Sequence, residues 1–223
     1  MIIELYRADY KGNITLPEKY YTDGLLSKQI NGGDPYFYKN YGWLKSIKSH
    51  LHYSNDKEKY LYNTTSFLSF TGNKDIAKDV YLRTSKLYDY EKTIRELADA
   101  FLITAKLETQ QLESMENGTY YYEFRCNYDR YKTYSILSNF IKCNICSNYS
   151  EYRHKLLVID VEVYLNKLIQ VYPELKTAYN NSKRDNEWLL MPLDPMLDGR
   201  GFQSRIPVAD FWNVEHFKYK TIK

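Results

Sequence analysis

The chain opens Met1-Ile2-Ile3-Glu4-Leu5-Tyr6-Arg7-Ala8-Asp9-Tyr10, an apolar run that leads directly into an arginine. These residue types read as a β-strand, with Arg7 on it or at its end. A buried or half-buried guanidinium on a strand is costly unless an anion meets it. An anion must therefore come to Arg7. Glu4, Asp9 and carboxylates distant in sequence are all available, and so is an anionic ligand.

The chain has 223 residues, 43% of them hydrophobic, which suits one domain with a real core. Charged residues make up 26%, with both signs present, which argues against wholesale disorder. The net charge of +3 permits nucleic-acid contact without arguing for it, because no long Lys/Arg block occurs. Tyrosine is abundant at 25 residues. Such rings stack on nicotinamide or on bases, yet abundant Tyr, Asn, Lys and Ile also follow from an AT-rich coding sequence. No apolar run approaches the roughly 18–20 residues that span a bilayer, and no basic segment with an apolar core opens the chain as a secretory signal. Three cysteines make no disulfide framework. The expectation is a chain made in the cytoplasm, with no membrane partner, that could leave the cell without a cleaved signal.

Turn residues divide the sequence into elements. Pro17–Tyr21 and Trp43–His52 read as short helices and Thr64–Phe70 as a strand. Gly72-Asn73-Lys74-Asp75 ends that strand and caps a helix starting near Asp75. Ile94, Leu97, Ala98, Phe101, Leu102 and Ala105 recur at helical spacing, which predicts a helix reaching about Leu112. Asn117-Gly118 is a stop. Thr119–Cys126, Leu156–Leu165, Glu187–Met191 and Asn213–Tyr219 read as strands. Strands that do not alternate regularly with helices point to α+β.

Two later segments carry chemistry. Ser69-Phe70-Thr71 ends a strand, where small hydroxyls orient a carboxylate or a ribose, although a plain strand edge and helix cap reads the same way. In Arg184-Asp185-Asn186-Glu187-Trp188, a strand would put Asp185 and Glu187 on one side. Two adjacent carboxylates repel, which raises one pKa and suits acid–base work. An exposed acidic turn is the plain alternative. Asp160 and Glu162 form a rival pair in the strand Leu156–Leu165. Cys143-Asn144-Ile145-Cys146 has the spacing of half a zinc site, but Cys126 and His154 do not complete a known pattern, so no metal is expected.

Taken in order, these pieces resemble the bacterial mono-ADP-ribosyltransferase toxins, the cholera- and pertussis-toxin-like enzymes of the Arg–Ser–Glu type. Leu5-Tyr6-Arg7-Ala8-Asp9 is similar to the opening of the cholera-type enzymes. Pro17 with Asp23-Gly24-Leu25 is similar to the proline and Gly-Leu/Phe that come next in that family. Ser69-Phe70-Thr71 is similar to the Ser-Thr-Ser strand, Asp185-Asn186-Glu187 to the Glu-x-Glu motif, and Ile206-Pro207-Val208 to the Ile-Pro turn before the last strand. The similarity covers roughly the first 80 and the last 45 residues.

The resemblance implies a single domain over 1–223 with the ADP-ribosyltransferase fold. That fold has two roughly perpendicular β-sheets forming an NAD cleft with flanking helices, here with an α-rich insertion at about 83–182. It implies transfer of ADP-ribose from NAD, as substrate, to a macromolecule by a toxin or effector. A protein side chain is the first acceptor expected. A nucleic-acid base, water (an NAD glycohydrolase) and a catalytically inactive binding relative are the alternatives, and an antitoxin or immunity protein is a partner such toxins can have. Arg7 would meet the pyrophosphate. Glu187 would hold the ribose as positive charge grows on it. Ser69 would orient Glu187, Thr71 would support the strand, and Asp185 would act on the acceptor. His50, preferred to His52, would sit in the nucleotide site, and Tyr6 would stack on nicotinamide, with core packing as the competing role for Tyr6. Tyr10 and Tyr36-Phe37-Tyr38 are stacking candidates too, with the same competing role in core packing. Asp185 stands where the family has glutamate, and its shorter reach puts an arginine acceptor in question.

Overall fold

The computed structural model describes residues 1–10, 24–26, 47, 50–51, 67–81, 98–125, 153–193, 196–198, 201–203, 205–206 and 209–219. The expected helix at Pro17–Tyr21, the aromatic run at Tyr36–Tyr38, His52 and the Cys143/Cys146 pair lie outside these residues.

The protein is strand-rich α+β. Strand β1 is Ile2–Tyr10, β2 Leu25–Leu26, β3 Leu68–Thr71, β4 Ala98–Glu108, β5 Leu112–Ser114, β6 Thr119–Arg125 and β7 Arg153–Asp160. After these come β8 Glu187–Pro192, β9 Met196–Asp198, β10 Gly201–Gln203, β11 Arg205–Ile206 and β12 Trp212–Tyr219. Eight strands form one antiparallel ladder in the order β12-β4-β1-β3-β8-β7-β6-β5. Two small two-stranded sheets, β9 with β10 and β2 with β11, accompany it. Helix α1 is Lys74–Ile76 and widens into a π turn over Ala77–Tyr81, α2 is Val161–Leu168 and α3 is Lys176–Asp185.

The ladder is not equally strong throughout. β1 pairs with β4 over nine residues, from Ile2↔Glu108 to Tyr10↔Ala100. It meets β3 at one registered pair only, Tyr6↔Thr71. The eight strands thus divide into a β12-β4-β1 part and a β3-β8-β7-β6-β5 part, joined at a narrow seam.

The sheet also curls back on itself. Phe211, at the entry to β12, packs edge-on against Phe124 and Tyr122 of β6, at 4.7 and 5.4 Å between ring centroids, although β12 and β6 stand far apart in the ladder. The concave face holds the main core, including Leu5, Leu68, Phe70, Ile103, Leu107, Val158, Leu190 and Trp212. The other face of β7 and β8 carries a second core of Leu157, Ile159, Leu189 and Met191, covered by Val161, Leu165 and Ala178 of α2 and α3. Burial on both faces explains the unbroken apolar runs Leu156–Ile159 and Leu189–Met191.

Three expectations are corrected here. Over Ala98–Glu108 the helix expected through Ile94–Leu112 is instead the long strand β4, and Ile94 and Leu97 lie outside the described residues. Its apolar residues fall on two faces, Ala100 and Leu102 on one and Ile103, Ala105 and Leu107 on the other, because both faces are covered. A strand buried on both sides satisfies a helical pattern by accident. The insertion at 83–182 is strand-rich in its described residues, supplying β4, β5, β6 and β7 to the main ladder. The strand expected to reach Leu165 stops at Asp160, whose Oδ1 accepts the Val163 N–H at 3.1 Å and starts α2. The turn at Asn117-Gly118 is present, with both residues at positive φ.

Removing buried volume from β8 should be costly. Leu190→Ala is expected to lower stability by about 2–5 kcal/mol, whereas Val171→Ala, on an exposed turn, should stay within about 0.5 kcal/mol. Urea unfolding monitored by tryptophan fluorescence checks both.

Candidate functional site

Arg7 is 9% exposed and Asp9 only 2%. Two residues apart on β1, they share a face, and Asp9 takes Arg7 in a fork, Nε to Oδ2 at 2.7 Å and Nη2 to Oδ1 at 3.3 Å. Arg7 Nη1 also donates to the Ser69 carbonyl at 2.8 Å. Beyond the Tyr6↔Thr71 pair no residue of β1 is registered with β3, so this guanidinium serves the Ser69 carbonyl where a strand would have offered an amide. The anion required by Arg7 is thus supplied partly from within the chain, by one of the acids that the sequence offered.

Ser69 meets two further groups through its hydroxyl. His50 lies in helical backbone and is buried, edge-on to Phe67 at 5.6 Å, with Nε2 2.9 Å from Ser69 Oγ. Glu187 accepts a hydrogen bond from the same hydroxyl. One hydroxyl has one proton. If it goes to Glu187, Nε2 of His50 must donate to Oγ, giving the relay His50 Nε2–H to Ser69 Oγ–H to Glu187. Arg7, His50, Ser69 and Glu187 therefore meet around a single residue.

Glu187 is pushed up to about 7. Loss of hydration around its carboxyl is the main cause, and the like charge of Asp185 adds to it, while the Ser69 hydroxyl pulls the other way. The residue keeps an accessible edge.

Asp185 and Glu187 do not sit together on a strand as expected. Asp185 is the last residue of α3, Asn186 follows in the left-handed region at φ 46°, and Glu187 begins β8. The break occurs because α3 runs up to the pair, a helix that the polar stretch Lys176–Asp185 does not announce, with only Ala178 and Ser182 buried. The repulsion expected between the two acids is nonetheless present. Arg184 grips Asp185 with Nε to Oδ1 at 2.7 Å and Nη2 to Oδ2 at 2.9 Å, its own side chain 66% exposed and that of Asp185 14%.

Thr71 stands opposite Glu187 in the ladder, and its hydroxyl donates to the Asp185 carbonyl and accepts the Asn73 N–H at 3.0 Å. It secures the acidic turn as well as the strand. Tyr6 is half-buried. Its hydroxyl donates to Glu4 Oε2 at 2.5 Å and its ring packs with Ala8, Ala77 and Leu102, the competing role that its sequence context allowed. Of the other stacking candidates, Tyr10 ends β1, and nothing described extends to its ring.

The rival acids are occupied as helix-starting groups. Asp160 caps α2, and Glu162 lies in its first turn, 3.5 Å from Lys183. His154 is buried and stacked on Phe124 at 5.5 Å. Among the described residues no group of three or more His, Cys, Asp or Glu is placed to hold a metal ion.

No family model, no curated protein and no solved structure matches this chain.

The balance at Glu187 yields a signed expectation. Ser69→Ala removes a donor to the carboxylate and should move its titration above about 7, whereas Asp185→Asn removes a like charge and should move it below. Carboxyl carbon NMR of labelled protein reads both shifts directly. An ordinary glutamate ionises near 4.5, so raising pH from there through about 7 favours the unfolded chain. Glu187→Gln should therefore raise thermal stability at pH 8 and change it little at pH 4.

Proposed function

We propose that this protein is a mono-ADP-ribosyltransferase that uses NAD as substrate and passes ADP-ribose to a macromolecular acceptor, with a protein side chain the acceptor favoured. The observation that carries this reading is the meeting at Ser69: its carbonyl on Arg7 at 2.8 Å, its hydroxyl shared by His50 at 2.9 Å and by Glu187. The order of those residues in the chain matches the Arg–Ser–Glu order of the toxins, and the narrow seam between the two parts of the ladder is what two sheets opening onto a cleft would leave. The ADP-ribosyltransferase fold and the toxin or effector setting belong to the same proposal.

Arg7 would bind the NAD pyrophosphate. Asp9 fixes the direction of its guanidinium and offsets part of its charge, so recognition would rest on aimed N–H groups more than on net charge. Glu187 as carboxylate would hold the ribose and stabilise the positive charge that develops as the C1′–nicotinamide bond breaks, its electron pair leaving with nicotinamide. The acceptor's lone pair then forms the new bond to C1′, and its proton passes to Asp185 or to water. His50 and Ser69 keep Glu187 in position without taking a proton themselves.

One observation favours a second reading. The Asp185 carboxylate is already forked by Arg184, so water could be the acceptor and the protein an NAD glycohydrolase.

Glu187→Gln is expected to lower nicotinamide release from NAD by at least about a hundredfold while the fold persists. For the wild type, kcat/KM should rise with pH and level off above about 7 as Glu187 ionises. Asp185→Ala should weaken transfer to protein in a lysate more than NAD hydrolysis. The readout is labelled NAD, followed as released nicotinamide and as label in protein or in nuclease-sensitive material. Absence of both from the wild type would make the chain a binder.

A further inference from the structure

The turn between the two acids is fastened at its middle residue. Asn186 lies in the left-handed region, at φ 46° and ψ 55°, where asparagine is tolerated and β-branched residues are not. Its carbonyl accepts the Gly72 N–H at 2.9 Å. Its side-chain Oδ1 accepts the Trp188 indole N–H at 3.3 Å, and Trp188 is itself buried in the main core. The same amide lies close against Gly72. A Cβ added to Gly72 would come 2.2 Å from Asn186 Nδ2 and 2.9 Å from Cγ, so the amide would have to leave its place and its bond to Trp188. Thr71, one residue earlier, holds the Asp185 carbonyl.

The segment that presents Ser69 to Glu187 therefore also holds Asp185, through Thr71, and Asn186, through Gly72 just beyond β3. Asn186 joins the end of α3 to the start of β8, so its backbone angles set how the two carboxylates stand relative to each other. Shifts of about an ångström in such a pair change rates by about a hundredfold.

We propose that Asn186 and Gly72 form a positioning latch that fixes the placement of Asp185 and Glu187, an inference that rests on the transferase reading for its effect on rate. Neither residue touches substrate. Gly72→Ala should lower kcat for NAD cleavage at least about tenfold and leave KM for NAD within about twofold, since Arg7, Ser69 and His50 are unaltered. Asn186→Val, which disfavours the left-handed angles and removes the amide, should do the same. Asn186→Gly keeps those angles and should lose less.

The decisive variant is the double one. With Asn186→Gly the amide that clashes with a residue-72 methyl is gone, so Gly72→Ala combined with Asn186→Gly should recover kcat to within about threefold of Asn186→Gly alone. Thermal melts of all four variants separate a loss of folding from a loss of placement. Carboxyl NMR titration of Glu187 supplies a readout that needs no turnover: its titration should shift in Gly72→Ala and return in the double variant. If the wild type cleaves no NAD, the transferase reading fails and this titration alone decides the latch. The latch is overturned if Gly72→Ala leaves both kcat and the Glu187 titration at their wild-type values, or if the double variant shows no recovery.

Discussion

A buried guanidinium at a seam organises this molecule. β1 and β3 touch at one registered pair, and Arg7, held in a fork by Asp9, crosses to the Ser69 carbonyl just beyond it. Burying both charges is costly, and the pair is tolerable because three directed hydrogen bonds replace hydration. Removing either partner would take away the other's opposite charge in a buried setting, a cost of about 3–5 kcal/mol. Arg7 is thus a structural tie between the two parts of the ladder before it is anything else. A substitution there changes the join and the proposed NAD site together.

From Ser69 the connections run outward to His50, Glu187 and, along the same strand, Thr71 and the acidic turn. The competing influences on Glu187 have a common origin. Covering the carboxyl raises its pKa, and the hydroxyl that keeps the carboxyl in place lowers it. A group poised near neutrality is unfavourable for stability at high pH, and on the proposed transferase reading it suits a substrate that develops positive charge. The protein holds it there because both β8 and β3 are anchored in cores on two faces of the sheet.

Much of the site was legible as short strings. Leu5–Asp9, Ser69–Thr71 and Glu187 fall on β1, β3 and the start of β8 as read, and β6 and β12 lie within a residue of their expected bounds. Short strands with turn residues at both ends carry their own boundaries. The misread strands share a cause. β4 and β7 are covered on both faces, so their apolar residues follow neither a clean two-residue nor a clean helical period. α3 escaped notice for the opposite reason, since it buries little, and with it went the true shape of the Asp185–Glu187 turn.

Residue order alone dictated an arginine in the first strand, a hydroxyl pair ending a central strand and an acid pair late in the chain. It also called for an anion to answer the arginine, from the chain or from a ligand. The three-dimensional packing chose which acid that was, joined arginine, histidine and glutamate at one serine, and set one side of Tyr6 against Ala8, Ala77 and Leu102. Residue type fixes what a side chain can bond to locally. Which partners it meets depends on strand register and on which faces of a curled sheet are covered, and those arise from contacts between segments far apart in the chain.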